Sequence, residues 1–284
     1  MFDNKKLKYW SKDYWNHIIR NIGIIKIEEQ EKLRKTPIAI FGVGGLGGPL
    51  TEQLVRIGCE NLLICDNEKF EVSNLNRQLC TRKDIGKYKV DVIEKFLKDI
   101  NPEIDIKKFK EINTNNISNT LNNISNVALT LDDPIISILI TRECIKKKIP
   151  VLESWAIPYL CAWWFTETAM DYETFYGLKT HKISIQEIFS SRDLVIEIRK
   201  AFFNKLKKFP GIIEKFDREK GALKELFSGR IPSISFAPIV RMSASYLAYE
   251  IIFTGVLKVK EMILAPKIIG YDYFKMEPLN FSLI

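Results

Sequence analysis

A short apolar run at residues 37–41 leads directly into a glycine-rich turn, and an apolar helical pattern follows at residues 46–57. The turn contains Gly42, Gly44, Gly45 and Gly47, and three of these glycines have GxGxxG spacing. Glycines let the backbone turn tightly and approach a ligand, while the start of a helix offers free N–H groups and the positive end of its dipole. This feature predicts a strand, a turn and a helix that hold phosphate groups, without specifying the nucleotide.

Strands and helices alternate along the first half of the chain. Strands are predicted at residues 37–41, 61–66, 104–109, 127–131 and 150–154, and helices at residues 46–57, 87–100 and 135–147. Such alternation is typical of an α/β fold, in which a mostly parallel sheet carries helices on both faces. Ligands bind at the carboxyl ends of the strands in these folds. Gly42, Asp66 and Asp132 all follow predicted strands and should therefore lie near one another.

Four segments are expected in the domain organisation. Residues 1–34 form an N-terminal helical segment, and residues 35–168 form a Rossmann-like nucleotide-binding domain that ends in an aromatic strand at 159–168. Residues 169–235 are predicted to be a helical insertion. In residues 236–284, an apolar helix at 237–254, capped by Gly255, and a last strand at 268–272 are predicted to return to the sheet.

Arg77 and Lys89 follow the glycine turn, and these two cations favour a nucleoside triphosphate over a dinucleotide as the ligand. A dehydrogenase that binds a dinucleotide does not need Arg77 and Lys89 near its pyrophosphate, whereas an enzyme that breaks a triphosphate does. Asp66 follows Gly47 at the distance where a ribose-binding acid falls in nucleotide folds. The alternatives are a turn-capping role for Asp66 and ordinary surface positions for the two cations. A NAD-dependent oxidoreductase is disfavoured because no residue resembles a hydride-transfer acid or base.

Composition excludes several other classes of protein. No apolar run approaches the length of a membrane span and the N-terminus lacks a signal core, so we expect a cytoplasmic protein. Five cysteines without CxxC pairing and two histidines disfavour a structural zinc site and a disulfide framework. The formal net charge of +8 permits a nucleic acid or an acidic protein as partner. However, the basic residues are interleaved with acids in helical patterns, so a solvated face is the favoured interpretation.

Taken together, the motifs resemble those of the ThiF/MoeB family of ubiquitin-activating-enzyme-like adenylyltransferases. The resemblance rests on their order and spacing over most of the chain, namely Arg20, Gly42–Gly47, Asp66, Asn74, Arg77, Gln78, Lys89 and the pair Asp132–Asp133. It implies ATP-dependent adenylation, with magnesium, of the C-terminal carboxylate of a small ubiquitin-like protein or a peptide. It also implies a dimer, expected here to be a homodimer.

The resemblance assigns a role to each matching residue. Arg77 and Lys89 would contact the phosphates together with the glycine turn, and Asp66 would hold the ribose hydroxyls. Asn74 and Gln78 would line the site. Asp132 would hold Mg²⁺, while Asp133 or Asp132 could instead cap the following helix. Arg20 would act as an arginine finger that the other subunit of the dimer donates.

Two departures from the family pattern refine the expected activity. Many members carry paired CxxC motifs for zinc, and this chain has none. Members that form a thioester use a cysteine beyond the aromatic strand, whereas the last cysteine here is Cys161, which lies in an apolar run and is expected to be buried. Ser137 stands where members often have an arginine. The chain is therefore predicted to make an acyl-adenylate on a sulfur-carrier protein or a peptide without an enzyme thioester.

Two alternatives to this activity remain. A tRNA-modifying dehydratase of the related zinc-free branch would account for the positive charge and the missing zinc. The inactive half of a heterodimer would be a scaffold without catalysis, and it is disfavoured because a scaffold has no need to keep Arg77, Lys89 and Asp132. Specificity for the acceptor is expected to lie in residues 184–227.

Overall fold

The computed structural model describes residues 10–284, apart from the side chain of Phe227. The first nine residues of the predicted N-terminal segment lie outside this range. The rest of the segment is helical, as expected, and comprises α1 (Lys12–Ile18), a 3₁₀ turn (Ile19–Asn21) and α2 (Ile27–Lys35). Ser11 begins α1 because its hydroxyl accepts a hydrogen bond from the Tyr14 N–H at 3.0 Å.

A six-stranded sheet forms the centre of the molecule and confirms the predicted α/β class. Its strand order is β3-β2-β1-β4-β5-β7, and all neighbours are parallel except β5 and β7. Its strands are β1 (Ile38–Phe41), β2 (Asn61–Cys65), β3 (Asp105–Phe109), β4 (Asn126–Leu129), β5 (Val151–Glu153) and β7 (Trp163–Phe165). Each predicted parallel strand is present within about two residues of its expected limits.

Alternation along the strands sends side chains to two separate hydrophobic cores. Ile38 and Ile40 pack on the face that carries α3 (Gly47–Arg56) and α4 (Lys89–Ile100), whereas Ala39 and Phe41 pack on the opposite face. The opposite face carries α5 (Ile117–Thr120) and α6 (Pro134–Lys146). Because both faces are covered, the five strands other than the edge strand β3 are buried almost throughout, whereas β3 exposes Asp105, Lys107 and Lys108.

The C-terminal helix is confirmed, but its predicted end is wrong. Helix α12 (Ala237–Tyr249) continues as a π-helical turn (Glu250–Val256), so Gly255 lies inside a helical segment and does not cap it. Gly255 instead allows a close approach to the sheet, since a Cβ there would lie 2.6 Å from Asn126 Oδ1 and 2.9 Å from the Trp164 ring. Packing against β4 and β7 therefore explains this glycine.

The aromatic segment at residues 159–168 is two strands and not the single strand predicted. The chain divides at Ala162: β6 (Tyr159–Cys161) pairs with β8 (Lys267–Asp272), while the next three residues form β7. A strand absent from the prediction, β9 (Glu277–Ser282), pairs with β8. The C-terminal strand therefore does not return to the large sheet, because β6, β8 and β9 form a second antiparallel sheet of three strands.

The predicted helical insertion is present and packs onto the large sheet. It consists of α7 (Tyr172–Tyr176), α8 (Ile185–Ser190), α9 (Arg192–Leu206), α10 (Ile212–Phe216) and α11 (Ala222–Phe227). Aromatic rings join the insertion to the sheet: Tyr176 stacks on Phe202 of α9, and Phe175 packs against Trp163 of β7. The segment limits predicted from the sequence stay a prediction.

Trp163 and Trp164 are fully buried and pack into the two different hydrophobic cores. Within residues 10–284, no helix combines the length and the apolar character that a bilayer crossing requires.

Candidate functional site

The glycine turn follows β1 at the carboxyl end of the sheet, where the parallel α/β fold predicts a ligand site. Gly42 has a φ of +93°, and a Cβ there would lie 2.6 Å from the Thr130 carbonyl oxygen. A Cβ on Gly47 would overlap the Gly42 carbonyl oxygen and lie 2.6 Å from Thr130 Oγ1. The Thr130 hydroxyl in turn donates to the Gly42 carbonyl at 2.6 Å. The turn is therefore closed against the loop after β4, and only glycine fits at both positions.

Gly44 and Gly45 line the open side of the turn. A Cβ on Gly44 would lie 3.5 Å from Gln78 Nε2, and a Cβ on Gly45 would lie 3.5 Å from Arg77 Nε. Val240 of α12 approaches the same Gly45 position to 3.4 Å. The space above the turn is thus bordered by a cation, an amide and one apolar side chain, which suits a phosphate-bearing ligand.

Asn74 shapes the turn that carries Arg77 and Gln78. The Asn74 carbonyl accepts hydrogen bonds from the N–H groups of Arg77 and Gln78, at 3.1 and 2.9 Å. The Arg77 guanidinium donates to the Ser73 carbonyl at 3.0 Å and to Asn76 Oδ1 at 2.8 Å. Gln78 is buried, and its Oε1 accepts no hydrogen bond from any described residue. An unsatisfied buried acceptor beside Gly44 indicates a place for a ligand donor.

Asp66 follows β2 and is bonded to the glycine turn itself. Its Oδ2 accepts from the Val43 N–H at 2.9 Å, and its Oδ1 accepts from the Glu68 N–H at 2.9 Å. Burial raises the pKa of Asp66, while the nearby Lys89 ammonium opposes that effect. The carboxylate therefore holds the backbone of the local turn and lies directly beside the glycine turn.

Lys89 begins α4, and its ammonium lies near the carboxyl groups of Asp66 and Asp132. The space that these three side chains border beside the glycine turn, together with Arg77 and Gln78, is called the crevice. Lys89 is only 3% exposed, and its ammonium forms an ion pair with the carboxylate of Glu68. A buried ammonium without a counter-charge would be costly, so Glu68 supplies the charge that balances it here. Glu68 is not among the site residues predicted from the sequence, because no motif marks it and only its ion pair with Lys89 distinguishes it.

Asp132 and Asp133, the acidic pair after β4, differ in their contacts. Asp133 caps α6, since its Oδ1 accepts from the N–H groups of Ile135 and Ile136 at 2.9 and 3.1 Å. Asp132 takes no part in the cap and is exposed at the mouth of the crevice. Loss of hydration raises the pKa of Asp132, and the negative charge of Glu68 adds to this effect. Carboxylate oxygens are the ligands that Mg²⁺ prefers, so Asp132 is a residue that could hold this ion.

Ser137 confirms the expected departure from the family pattern. The side chain is buried and its hydroxyl donates to the Asp133 carbonyl at 2.8 Å. This position therefore adds no cation to the crevice.

Arg20 does not reach the crevice of its own chain. It lies in the 3₁₀ turn Ile19–Asn21, and the neighbouring Asn21 donates to the Ile57 carbonyl, just past the C-terminal end of α3. The glycine turn lies at the opposite end of this helix. Ten residues of α-helix span about 15 Å. Arg20 therefore lies too far from its own glycine turn to contact a ligand bound there.

The cysteines offer no nucleophile at the crevice. Cys161 is fully buried, as predicted, and burial raises the pKa of its thiol. Cys80 is partly exposed near the site, but burial and the charge of Asp84 raise the pKa of its thiol as well. The remaining cysteines, Cys59, Cys65 and Cys144, are buried.

A model of the ThiF family matches residues 18–283 of the chain. Among curated proteins, ubiquitin-like modifier-activating enzyme 5 of Gallus gallus is 34% identical over 119 residues, which are 41% of this chain and 30% of that protein. The tRNA threonylcarbamoyladenosine dehydratase of Bacillus subtilis (strain 168) is 31% identical over 138 residues, 48% of this chain and 54% of that protein. The alignments thus span about a third to a half of these curated relatives.

Solved structures show the same fold at low sequence identity. PaaA superposes with a TM-score of 0.68 at 16% identity, over 97% of this chain and 75% of that structure. The microcin C7 biosynthetic enzyme MccB, in complex with N-formylated MccA, superposes with a TM-score of 0.64 at 19% identity, over 96% of this chain and 74% of that structure. E. coli MccB with ATP superposes with a TM-score of 0.61 at 20% identity, over 90% of this chain and 66% of that structure.

Proposed function

This chain belongs to the ThiF family, and on that premise we propose that it uses ATP to adenylate the C-terminal carboxylate of a ubiquitin-like sulfur carrier or a peptide. The observation that carries the proposal is the convergence of Arg77, Lys89 and Asp132 on the glycine turn. A crevice that only bound a nucleotide would not need two cations and a free acid at the phosphate end.

The chemistry follows from this arrangement. A carboxylate oxygen of the acceptor attacks the α-phosphorus of ATP, a new P–O bond forms, and the bond to the pyrophosphate leaving group breaks. Two anions meet and negative charge accumulates on the phosphate oxygens, so fixed cations contribute most of the rate. Arg77, beside Gly45, and Lys89, at the start of α4, supply this charge. The N–H groups of the glycine turn add donors.

Nucleotide binding would change the partner of Lys89. In the free protein its ammonium pairs with Glu68, whose carboxylate is half exposed. A phosphate group carries more charge than this carboxylate and can compete for the ammonium. Released Glu68 could then join Asp132 in holding Mg²⁺. Bound Mg²⁺ supplies further positive charge to the phosphates.

The acyl-adenylate is proposed to leave the enzyme without an enzyme thioester. Four of the five cysteines are buried, and burial and the charge of Asp84 raise the pKa of the Cys80 thiol. The acceptor class draws support from two similar proteins. Ubiquitin-like modifier-activating enzyme 5 acts on a modifier protein by its name, and MccB has been solved with the peptide MccA.

We infer further that the active form is a homodimer. Arg20 lies about one α3 length from its own glycine turn, so a twofold axis across the middle of this helix would bring it to the partner's turn. A groove of about 260 Å³ between α3 and α12, lined by Ile57 and Tyr249 among others, runs along the same face. Ile19 and Tyr249 are exposed apolar residues there, 42% and 46% accessible. A second copy would cover them.

The mass in solution tests the dimer. Light scattering should give about twice the 33.0 kDa of the chain, and Tyr249→Arg should lower the value toward one chain because a buried charge opposes association. Lys146→Arg, on the distant end of α6, serves as the control. A wild-type mass of one chain at micromolar concentration contradicts the homodimer.

A second candidate function is the activation of a carboxylate on a tRNA nucleoside. The similarity to tRNA threonylcarbamoyladenosine dehydratase supports it. So do the exposed cations Arg192, Arg199 and Lys200 on α9 of the insertion, which form no ion pair with described residues. Binding through phosphates would weaken steeply with salt. The protein acceptor remains the leading proposal because the charge of α9 is mixed with Asp193 and Glu197.

Exchange of labelled pyrophosphate into ATP tests the proposed function. Wild-type protein should catalyse exchange with magnesium and a carrier protein ending in Gly-Gly or a peptide. Asp132→Asn should lower the rate about 100-fold, because a neutral amide is a weaker ligand for Mg²⁺. Asp105→Asn is the matched control, since Asp105 is exposed on β3 away from the crevice. Exchange with tRNA alone would favour the second candidate, and exchange unaffected by Asp132→Asn would exclude the proposed metal site.

A further inference from the structure

The end of α3 that lies away from the glycine turn is closed by side chains of the N-terminal segment. The Tyr14 hydroxyl donates to the Gly58 carbonyl at 2.8 Å. Gln30 Nε2 donates to the Ile57 carbonyl at 2.7 Å, and Asn21 Nδ2 donates to the same carbonyl at 3.0 Å. The last carbonyls of a helix have no partner within the helix. Three side chains, one each from α1, the 3₁₀ turn and α2, thus satisfy two adjacent carbonyls.

These three side chains are also bonded to one another. Gln30 Nε2 donates to the Tyr14 hydroxyl at 3.1 Å, and Asn21 Nδ2 donates to Gln30 Oε1 at 3.1 Å. Gln30 is fully buried and Tyr14 is 3% exposed. Gly58 makes room for the network, because a Cβ there would lie 2.7 Å from the Tyr14 hydroxyl and 2.8 Å from Gln30 Nε2. We call Tyr14, Asn21 and Gln30 the α3 clamp.

Arg20 is the residue immediately before the outermost member of the clamp. Its guanidinium forms no hydrogen bond or ion pair with any described residue, and the side chain is exposed. Its place relative to α3 is therefore set through the backbone, by Asn21 and by Ile18, which packs in the core beneath it. An exposed arginine on a free segment would lose more conformational entropy when it binds a phosphate than one on a fixed segment.

We propose that Asn21, supported by Gln30 and Tyr14, is a positioning residue that holds Arg20 where it can reach the phosphates bound by a second copy of the chain. This inference rests on the proposed ATP-binding function and homodimer. Since α3 begins in the glycine turn and ends in the clamp, the same helix links the phosphate site of one chain to the arginine offered to the other.

Titration of the full chain with Mg-ATP and with AMP tests the inference without any acceptor. Arg20→Ala and Asn21→Ala should each weaken binding of Mg-ATP about tenfold, as expected for one charge-assisted hydrogen bond, and leave binding of AMP unchanged. The double variant should bind Mg-ATP no more weakly than Arg20→Ala, because Asn21 acts through Arg20. Asn21→Asp should behave like Asn21→Ala, since a carboxylate cannot donate to the Ile57 carbonyl. Asn16→Ala, on the exposed face of α1, should bind as wild type does.

The other outcomes distinguish a failure of the positioning role of Asn21 from a failure of the proposed ATP-binding function. Wild-type protein that binds no Mg-ATP would overturn the proposed function, and the inference with it. Weakened Mg-ATP binding in Arg20→Ala with normal binding in both Asn21 variants would overturn the positioning role alone. The same follows if the losses multiply in the double variant, or if Asn21→Ala weakens AMP equally, because the clamp would then support the fold in general. Unchanged binding in Arg20→Ala would remove the role of Arg20 and of the clamp together.

Discussion

Replacing Lys89 with methionine is expected to lower the rate of acyl-adenylate formation by about 10² to 10³-fold, the loss typical of one preorganised charge at a reacting centre. Lys89 is almost wholly buried at the start of α4, and its ammonium is balanced by Glu68 at the mouth of the crevice. Methionine keeps most of the volume and removes only the charge. Because Glu68 is more than half exposed, its carboxylate can return to water when the partner is lost.

Lys87→Met is the matched control for this prediction. Lys87 lies two residues earlier, is exposed, and pairs with Asp84 at 3.2 Å. Pyrophosphate exchange should stay near the wild-type rate in this variant, and circular dichroism should show both variants folded. A folded Lys89→Met protein that exchanges pyrophosphate at more than a tenth of the wild-type rate would show that Lys89 does not act on the phosphates.

The second large effect is expected from Gly47→Ala. The added Cβ would overlap the Gly42 carbonyl oxygen and lie 2.6 Å from the Thr130 side-chain oxygen Oγ1, which itself donates to that carbonyl. Relief requires the first turn of α3 to move away from β1. We expect the free energy of unfolding to fall by about 3 kcal/mol, toward the upper range for overpacked sites, and ATP binding to be lost.

Gly86→Ala is the control that separates the loss of stability caused by steric overlap from the loss caused by backbone strain. Gly86 has a φ of +84°, but no atom lies within 4 Å of the position of its Cβ. Only the cost of the left-handed backbone remains, about 1 kcal/mol. Urea denaturation of both variants and the wild type measures the difference. Equal losses of stability in the two variants would contradict the close packing described for the glycine turn.

Most of the large sheet could be predicted because its strands are short apolar runs bounded by turn residues. The spacing of apolar residues and the turn residues that bound each strand are local properties of the sequence, and the βα alternation predicts parallel pairing. The division at Ala162 is not local. Residues on both sides of it are apolar or aromatic, and only the position of β8 decides that β6 leaves the large sheet. Gly255 was similarly ambiguous, since a glycine near a helix end is usually a cap, and its contact with Asn126 belongs to the tertiary structure.

Some residues of the candidate site could likewise be predicted from the sequence, and others could not. Asp66, Arg77, Lys89 and Asp132 are recognisable because the family motifs place them at fixed distances in the sequence. Glu68 was missed because it is not separated from its neighbours by any pattern, and only the ion pair with Lys89 distinguishes it. The α3 clamp was not predicted at all. Its members come from three elements, and the carbonyls that they contact lie 27 to 44 residues away in sequence.

The proposed reaction in the crevice transfers AMP from ATP to an acceptor carboxylate and releases pyrophosphate. The most direct measurement is ATP–pyrophosphate exchange by the wild-type chain with one acceptor prepared in two forms, with a free C-terminal carboxylate and with a C-terminal amide. We predict magnesium-dependent exchange with the free carboxylate and none with the amide, because an amide has no anionic oxygen to attack the α-phosphorus. Equal exchange with both forms would contradict the proposed reaction, as would ATP binding without exchange across carrier, peptide and tRNA acceptors.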